Sequence, residues 1–321
     1  MQYFNKKIAI LIINLLLIQS CFSAPVTIGI IEPLEHKAMD EIVDGFTKTL
    51  NEQYHQPVVI KIENAQNDVN LQRAIIQKLR DTKYTMIVPI GVGATQMTLA
   101  MVHNQNIISL ASDLSDQDRK KLSHCQVAVV HDEISSQQLL SFIHDAYPKI
   151  TELTLIHSSA DKVFPEVKET IAAGKTLNIT VHPIMVSSLP ELYSATEALP
   201  TNSQGIFILK DSLIVSGIGT LEKAAEKHHI PLITSDEGSV ENGAGFALGV
   251  HEREIGVQGA KLAAAVLQGK SACDLPIVSM NNLTVFVNKQ AAQQEGQDTK
   301  KIMEAASKLH YQVEFVQQNK A

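Results

Sequence analysis

Tryptophan is absent from the 321 residues, and six tyrosines with nine phenylalanines hold aromatic content to 5%. So few rings are poor material for a site that stacks sugars on aromatic faces. Cysteine is scarce too: Cys21, Cys125 and Cys273 form no Cys-x-x-Cys pair, so neither a zinc clamp nor a redox motif is indicated. Basic charge is outnumbered, with 27 Lys and Arg against 34 Asp and Glu and a net charge of −7. A chain that binds phosphate backbones usually shows the opposite sign, so nucleic acid is not an expected partner. There is no P-loop, nucleophile elbow or His-Glu-x-x-His, and Gly91-Val92-Gly93 is followed by Gln96 where the dinucleotide pattern needs a third glycine. Twelve histidines are scattered, and the adjacent His228 and His229 precede a proline at a helix end. No catalytic residue, cofactor or metal is expected.

What is present begins with an export leader. Lys6 and Lys7 precede an apolar run at 8–18, broken by Asn14, and small residues follow through Ala24. The run is shorter than the roughly 20 residues of a membrane span and reads as a signal peptide over 1–23. Cys21, after Leu17, Ile18, Gln19 and Ser20, also resembles a loose lipoprotein box, which would end the signal at 20 and lipidate Cys21. Both cleavages stay open. Losing the leader takes the basic residues to 25 against the same 34 acids, a mature charge of −9. Cys125 and Cys273 could pair in an exported protein or remain separate buried thiols.

The rest alternates short Val- and Ile-rich runs with longer periodic stretches. Strands are expected at 26–31, 58–63, 86–89, 107–110, 126–130, 153–157, 179–183, 205–209, 231–234, 246–250 and 284–287. Between them, helices are expected at 38–53, 69–80, 94–103, 135–147, 164–177, 189–199, 212–228 and 254–268. Apolar runs without polar alternation suit strands covered on both faces, so the fold class is α/β with parallel sheets. Four strand–helix units fill 26–112, the polar stretch 112–122 reads as a crossover, and a second array runs over 126–250. These read as two doubly wound lobes, the first starting at 24, with a tail at 291–321 that holds a closing helix.

Ligands in such sheets bind beyond the carboxyl ends of strands. The residues there are Glu35 and His36; Gly93, Ala94 and Thr95, at a helix start that could hold a carboxylate; Ser112 and Asp113; Ser158 and Ser159; and Asp211 and Asp236, which could hold an amine. Each has a plainer reading, since Ser159, Asp161, Ser212 and Ser235 suit helix capping and Gly91 and Gly93 suit a tight turn. The acids recur at one sheet edge, which favours a cleft for a zwitterion.

Four segments then carry a resemblance. IEPLEHKAMDEIVDGF at 31–46 resembles the opening of a bacterial family of ABC-transporter substrate-binding proteins, with its Glu-His-Pro-Ala-Leu-Asp turn. NAQND at 64–68, IPLITSDEGSVENG at 230–243 and ALGVHEREIG at 247–256 are similar to its later segments, so the likeness spans about 26–290. It implies the type I periplasmic-binding-protein fold, in which three crossings join two lobes. Residues 251–283 would then complete the first lobe (24–112), and 284–290 the second (126–250). The family includes tryptophan and tyrosine uptake proteins. Lys37, the 210–213 loop and His251-Glu252-Arg253 depart from its pattern, so the ligand need not be an aromatic amino acid. The expectation is a monomeric, periplasmic or lipid-anchored binding protein, not an enzyme, that carries a small molecule, such as an amino acid, to a membrane permease. A ligand sensor signalling to a membrane receptor is the alternative.

Overall fold

The computed structural model describes residues 25–122, 126–132, 134–160, 163–280 and 282–317. The leader and Cys21 lie outside the described residues. The chain opens with β1 (Val26–Glu32), in which the last five residues are all buried. No side alternates to solvent because helices cover both faces of its sheet. His36 caps α1 (Lys37–Gln53) by accepting from the Ala38 amide, and Ile42, Phe46 and Leu50 form its buried stripe. Then come β2 (Val58–Asn64), α2 (Val69–Asp81), β3 (Met86–Pro89), α3 (Val92–Met101), β4 (Asn106–Leu110), α4 (Asp116–Lys121) and β5 (Val127–His131).

The expectation for 126–130 is corrected here. β5 pairs with β4, with Val127 opposite Ile107, and belongs to the first sheet rather than the second lobe. The polar segment 112–122 is therefore an ordinary connection holding α4, and the first crossing comes later, at 132–135. Polarity marked a solvent-facing connection, not a change of sheet.

Beyond that crossing lie α5 (Ser136–Ala146), β6 (Glu152–Ser158), α6 (Val163–Thr176), β7 (Thr180–Val186), α7 (Leu189–Glu197) and β8 (Ile206–Ile208). The helix expected over 212–228 is two, α8 (Ser212–Ser216) and α9 (Ile218–His228), broken at Gly217, where any Cβ would meet the Leu192 and Leu189 side chains. β9 (Leu232–Thr234), α10 (Glu237–Glu241) and β10 (Phe246–Gly249) follow. The second crossing leads to α11 (Glu252–Leu267), a 3-10 turn at Ala272–Asp274, and β11 (Val278–Ser279), which joins the first sheet beside β5. Cys273 in that turn is disulfide-bonded rather than a free thiol, and the other two cysteines lie outside the described residues.

The third crossing reaches β12 (Thr284–Val287), antiparallel to β10. The tail is not an appendage: α12 (Lys289–Gln294), α13 (Thr299–Lys308) and β13 (Gln312–Phe315) complete the second lobe, with β13 parallel to β12 at the sheet edge. The two sheets run β11-β5-β4-β3-β1-β2 and β13-β12-β10-β9-β8-β6-β7.

The returning helix is fastened by glycine. A Cβ at Gly256 would strike the Ile42 carbonyl oxygen and, at 2.7 Å, the Phe46 nitrogen, while one at Gly45 would strike the Arg253 carbonyl oxygen. The backbones of α1 and α11 therefore touch, and neither glycine can grow without separating the helices. Gly256→Ala should cost about 2–3 kcal/mol in denaturant unfolding. Gly219→Ala, in a first helical turn with open space around it, should be neutral or gain up to about 0.5 kcal/mol. Equal effects of the two variants would show that the helix contact is looser than described.

Candidate functional site

The connections after β1, β3, β4 and β5 face those after β8 and β9, and the space between them is a cavity of about 630 Å³. α3 begins at its wall. Its cap, Gly91, has φ 86°, a conformation costly for any residue with a Cβ, and no side chain caps the helix. Gly91, Val92 and Gln96 line the cavity, so this uncapped helix start stands at its wall. Behind them runs a chain of buried hydroxyls: Thr95 Oγ1 lies 2.8 Å from Ser109 Oγ, which lies 2.5 Å from Ser112 Oγ. Ser112 lines the cavity and Asp113 stands exposed at its edge.

An ion cluster forms the floor. Lys210, just past β8, places Nζ 2.6 Å from Asp132 Oδ2 and 3.1 Å from Glu252 Oε1. Asp132 opens the first crossing and Glu252 ends the second, so one ammonium ties both to the second lobe. Burial works against the lysine's charge, but Asp132 and Glu252 outweigh it and raise its pKa. Burial pushes the Glu252 carboxyl up to about 7, opposed by Lys210 and reinforced by Asp132 and Asp236. Asp236 also faces the cavity while capping α10, accepting from the Ser239 amide and hydroxyl at 2.7 Å each.

Of the residues chosen from sequence, His36, Ser112, Asp113 and Asp236 line this cavity. Glu35 is exposed and does not line it. Gly93, Ala94 and Thr95 sit behind Gly91 and Val92, which do, and Thr95 reaches the cavity only through the hydroxyl chain. Ser158, Ser159 and Asp211 are set apart from it. Both Asp211 oxygens serve the fold, Oδ2 accepting from the Ser158 amide at 2.6 Å and Oδ1 from the Leu213 amide at 3.2 Å. Asp132, Lys210 and Glu252 were missed. Lys210 stands beside Asp211 in a loop already under consideration, and the observation that every buried lysine needs carboxylates could have drawn attention to it.

A second acidic group lies off the cavity, at the seam where α10 meets α1. Carboxylate oxygens of Glu41, Glu237 and Glu241 lie within 4.8 Å of one another. Lys37 already pairs with Glu241 and sits 3.6 Å from Glu41. His251 stands 3.5 Å from Glu237 and 3.4 Å from Glu314. Burial, then Glu41, Glu241 and Glu314, push the Glu237 carboxyl up to about 8.

Two parallel-dominated sheets, three crossings and one interlobe cavity define a two-lobed ligand-binding protein with the type I periplasmic-binding-protein fold. The ABC transporter substrate binding protein family matches residues 27–309, and this chain belongs to it. That is a substrate-binding family, not an enzyme family, and its members are typically extracytoplasmic. An uncharacterized protein of Rickettsia prowazekii is 36% identical over 285 residues, covering 89% of this chain and 90% of that protein. A tyrosine-binding protein of Clostridioides difficile is 26% identical over 274 residues, covering 82% and 78%. The crystal structure of an ABC domain from Streptococcus pneumoniae in complex with L-Trp superposes with a TM-score of 0.81 at 23% identity, over 91% of this chain and 100% of that one. No helix among the described residues is long and apolar enough to cross a membrane.

Lys210→Met should cost about 3 kcal/mol in denaturant unfolding, because Asp132 and Glu252 stay buried without a counter-ion. Adding Glu252→Gln should recover part of that loss, and a strictly additive cycle would show that the pair does not interact. For Glu237, the folded pKa lies above the ordinary 4.5. Its contribution is therefore fully present below about pH 4.5 and is lost as pH rises through about 8. Melting temperatures taken from about pH 5 to 9 should fall less steeply for Glu237→Gln than for the parent, and superimposable profiles would remove Glu237 from the pH response.

Proposed function

We propose that the protein is the extracytoplasmic substrate-binding component of an ABC transporter. It captures a small amine-bearing ligand, amino acids first among the candidates, between its lobes and presents the closed form to a membrane permease. It is exported by its leader and works as a monomer, either free after cleavage at 23 or anchored through Cys21 after cleavage at 20. The observation that carries this reading is the cavity of about 630 Å³ walled by both lobes, the place and size expected of a small-molecule site. Asp113 and Asp236 suit an amine, and the uncapped start of α3 with Ser112 suits a carboxylate. The tyrosine-binding relative and the L-Trp complex support amino acids as the class to test first. Closing two lobes over a ligand stabilises only the closed arrangement, so binding and closure are one equilibrium.

A thermal-shift screen of the mature, ligand-stripped protein against amino acids, amines and sugars tests this. A true ligand at a hundredfold excess over its dissociation constant should add about 2.7 kcal/mol of stability. Asp113→Asn, at an exposed position, should weaken an amine-bearing hit about tenfold while leaving the melting temperature of the free protein unchanged. Unaltered affinity would take Asp113 out of the amine site, and silence across amino acids, amines and sugars would sink the cleft reading.

A further inference from the structure

We infer that the ligand of this cleft carries net positive charge, with two cationic nitrogens at the ends of a short aliphatic stem: a dibasic amino acid or a diamine. This rests on the cleft reading above and narrows it. Setting aside Glu166, which has a partner of its own, five carboxylates line the cavity, those of Asp113, Asp132, Glu169, Asp236 and Glu252, and Lys210 is the only lysine or arginine lining it among the described residues. That ammonium is already spent on Asp132 and Glu252, at 2.6 and 3.1 Å. Even with Glu252 left out of the count, four carboxylates face one ammonium. His36 does not redress this, because its Nδ1 accepts from the Ala38 amide at 3.2 Å and so bears no proton in that bond. Its Nε2 is buried with no hydrogen-bond partner among the described residues.

The acids are also spread along the cleft rather than gathered at one point. Asp236 follows β9, Lys210 follows β8, and Glu169 stands on the helix that follows β6. These strands are neighbours in the order β9-β8-β6, so two inter-strand steps, about 10 Å, separate the ends. The Lys210 cluster sits between them, and apolar side chains of Met39, Ile134, Leu139 and Pro165 line the same cavity. A stem with a cation at each end matches that sequence of acid, apolar wall and acid. In a partly desolvated cleft the surplus of one sign repels anions and gains little from a neutral side chain. The uncapped start of α3 leaves room for an α-carboxylate where the ligand has one.

Calorimetry on the ligand-stripped mature protein decides it, with L-lysine, cadaverine, L-norleucine and L-tyrosine as probes. Norleucine has the stem of lysine without its terminal amine. L-lysine or cadaverine should bind at least about tenfold more tightly than L-norleucine, and added salt should erode the difference. Glu169→Gln keeps the oxygen that accepts from the Ser136 amide at 3.0 Å and removes only the charge. It should shrink the preference for lysine over norleucine while norleucine affinity and melting temperature hold. L-norleucine or L-tyrosine binding as tightly as L-lysine would overturn the inference and leave the cleft reading standing. No binding by any of the four would overturn it as well, and the cleft reading would fall with it only if the wider screen is also silent.

Discussion

One buried ammonium fixes how the two lobes meet. Lys210 comes from the second sheet, and its two carboxylate partners stand where the chain passes between lobes, Asp132 at the first passage and Glu252 at the second. Charges taken out of water persist only when each finds a partner, so these three groups specify one another's positions more strongly than a neutral contact would. The cavity floor is therefore defined by the same bonds that set the angle of the crossings. A movement that opens the cleft must either carry the cluster as a unit or expose it, and the acid above it, Asp236, shares its field.

The cluster could not hold its geometry if the returning segment were loose. Glu252 is the first residue of α11, and α11 lies backbone to backbone on α1 through Gly256 and Gly45. His36 caps α1 at the cavity edge, so the same helix pair that anchors one ion partner also aims a cavity side chain. His36 lies close enough to Gly238, in the opposite lobe, that a Cβ there would come 2.6 Å from its ring. Absent side chains thus do as much to shape the seam as present ones, because they decide which surfaces can approach.

How much of this was legible depends on what a residue pattern encodes. Buried parallel strands are apolar whichever sheet they join, so β5 was visible as a strand, while its membership of the first sheet was not. The break at Gly217 was concealed because apolar spacing continues on both sides of it. At the site, Asp211 and Asp236 read identically: each follows a strand and each caps a helix. What separates them is the face of the loop turned to the cavity, a tertiary fact with no local signature. Asp211 spends both oxygens on amides of its own lobe, whereas Asp236 keeps a face to the cavity. Lys210 went unread because its role depends on Asp132 and Glu252, which lie 78 and 42 residues away.

In the proposed reading, structural duty and ligand choice fall on the same carboxylates. Asp236 caps a helix, Glu169 holds the Ser136 amide, and Asp132 and Glu252 hold Lys210. A carboxylate oxygen that accepts one bond still has a lone pair to offer, so a cation entering the cavity finds acceptors already oriented and rigid. An anion finds no unspent lysine or arginine lining the cavity among the described residues, and only the uncapped start of α3. The sign of the cavity therefore follows from bonds the fold needs for itself. At the Lys210 cluster, removing a carboxylate would also disturb the crossings, which ties that part of the cavity's charge to the contacts that hold the lobes together.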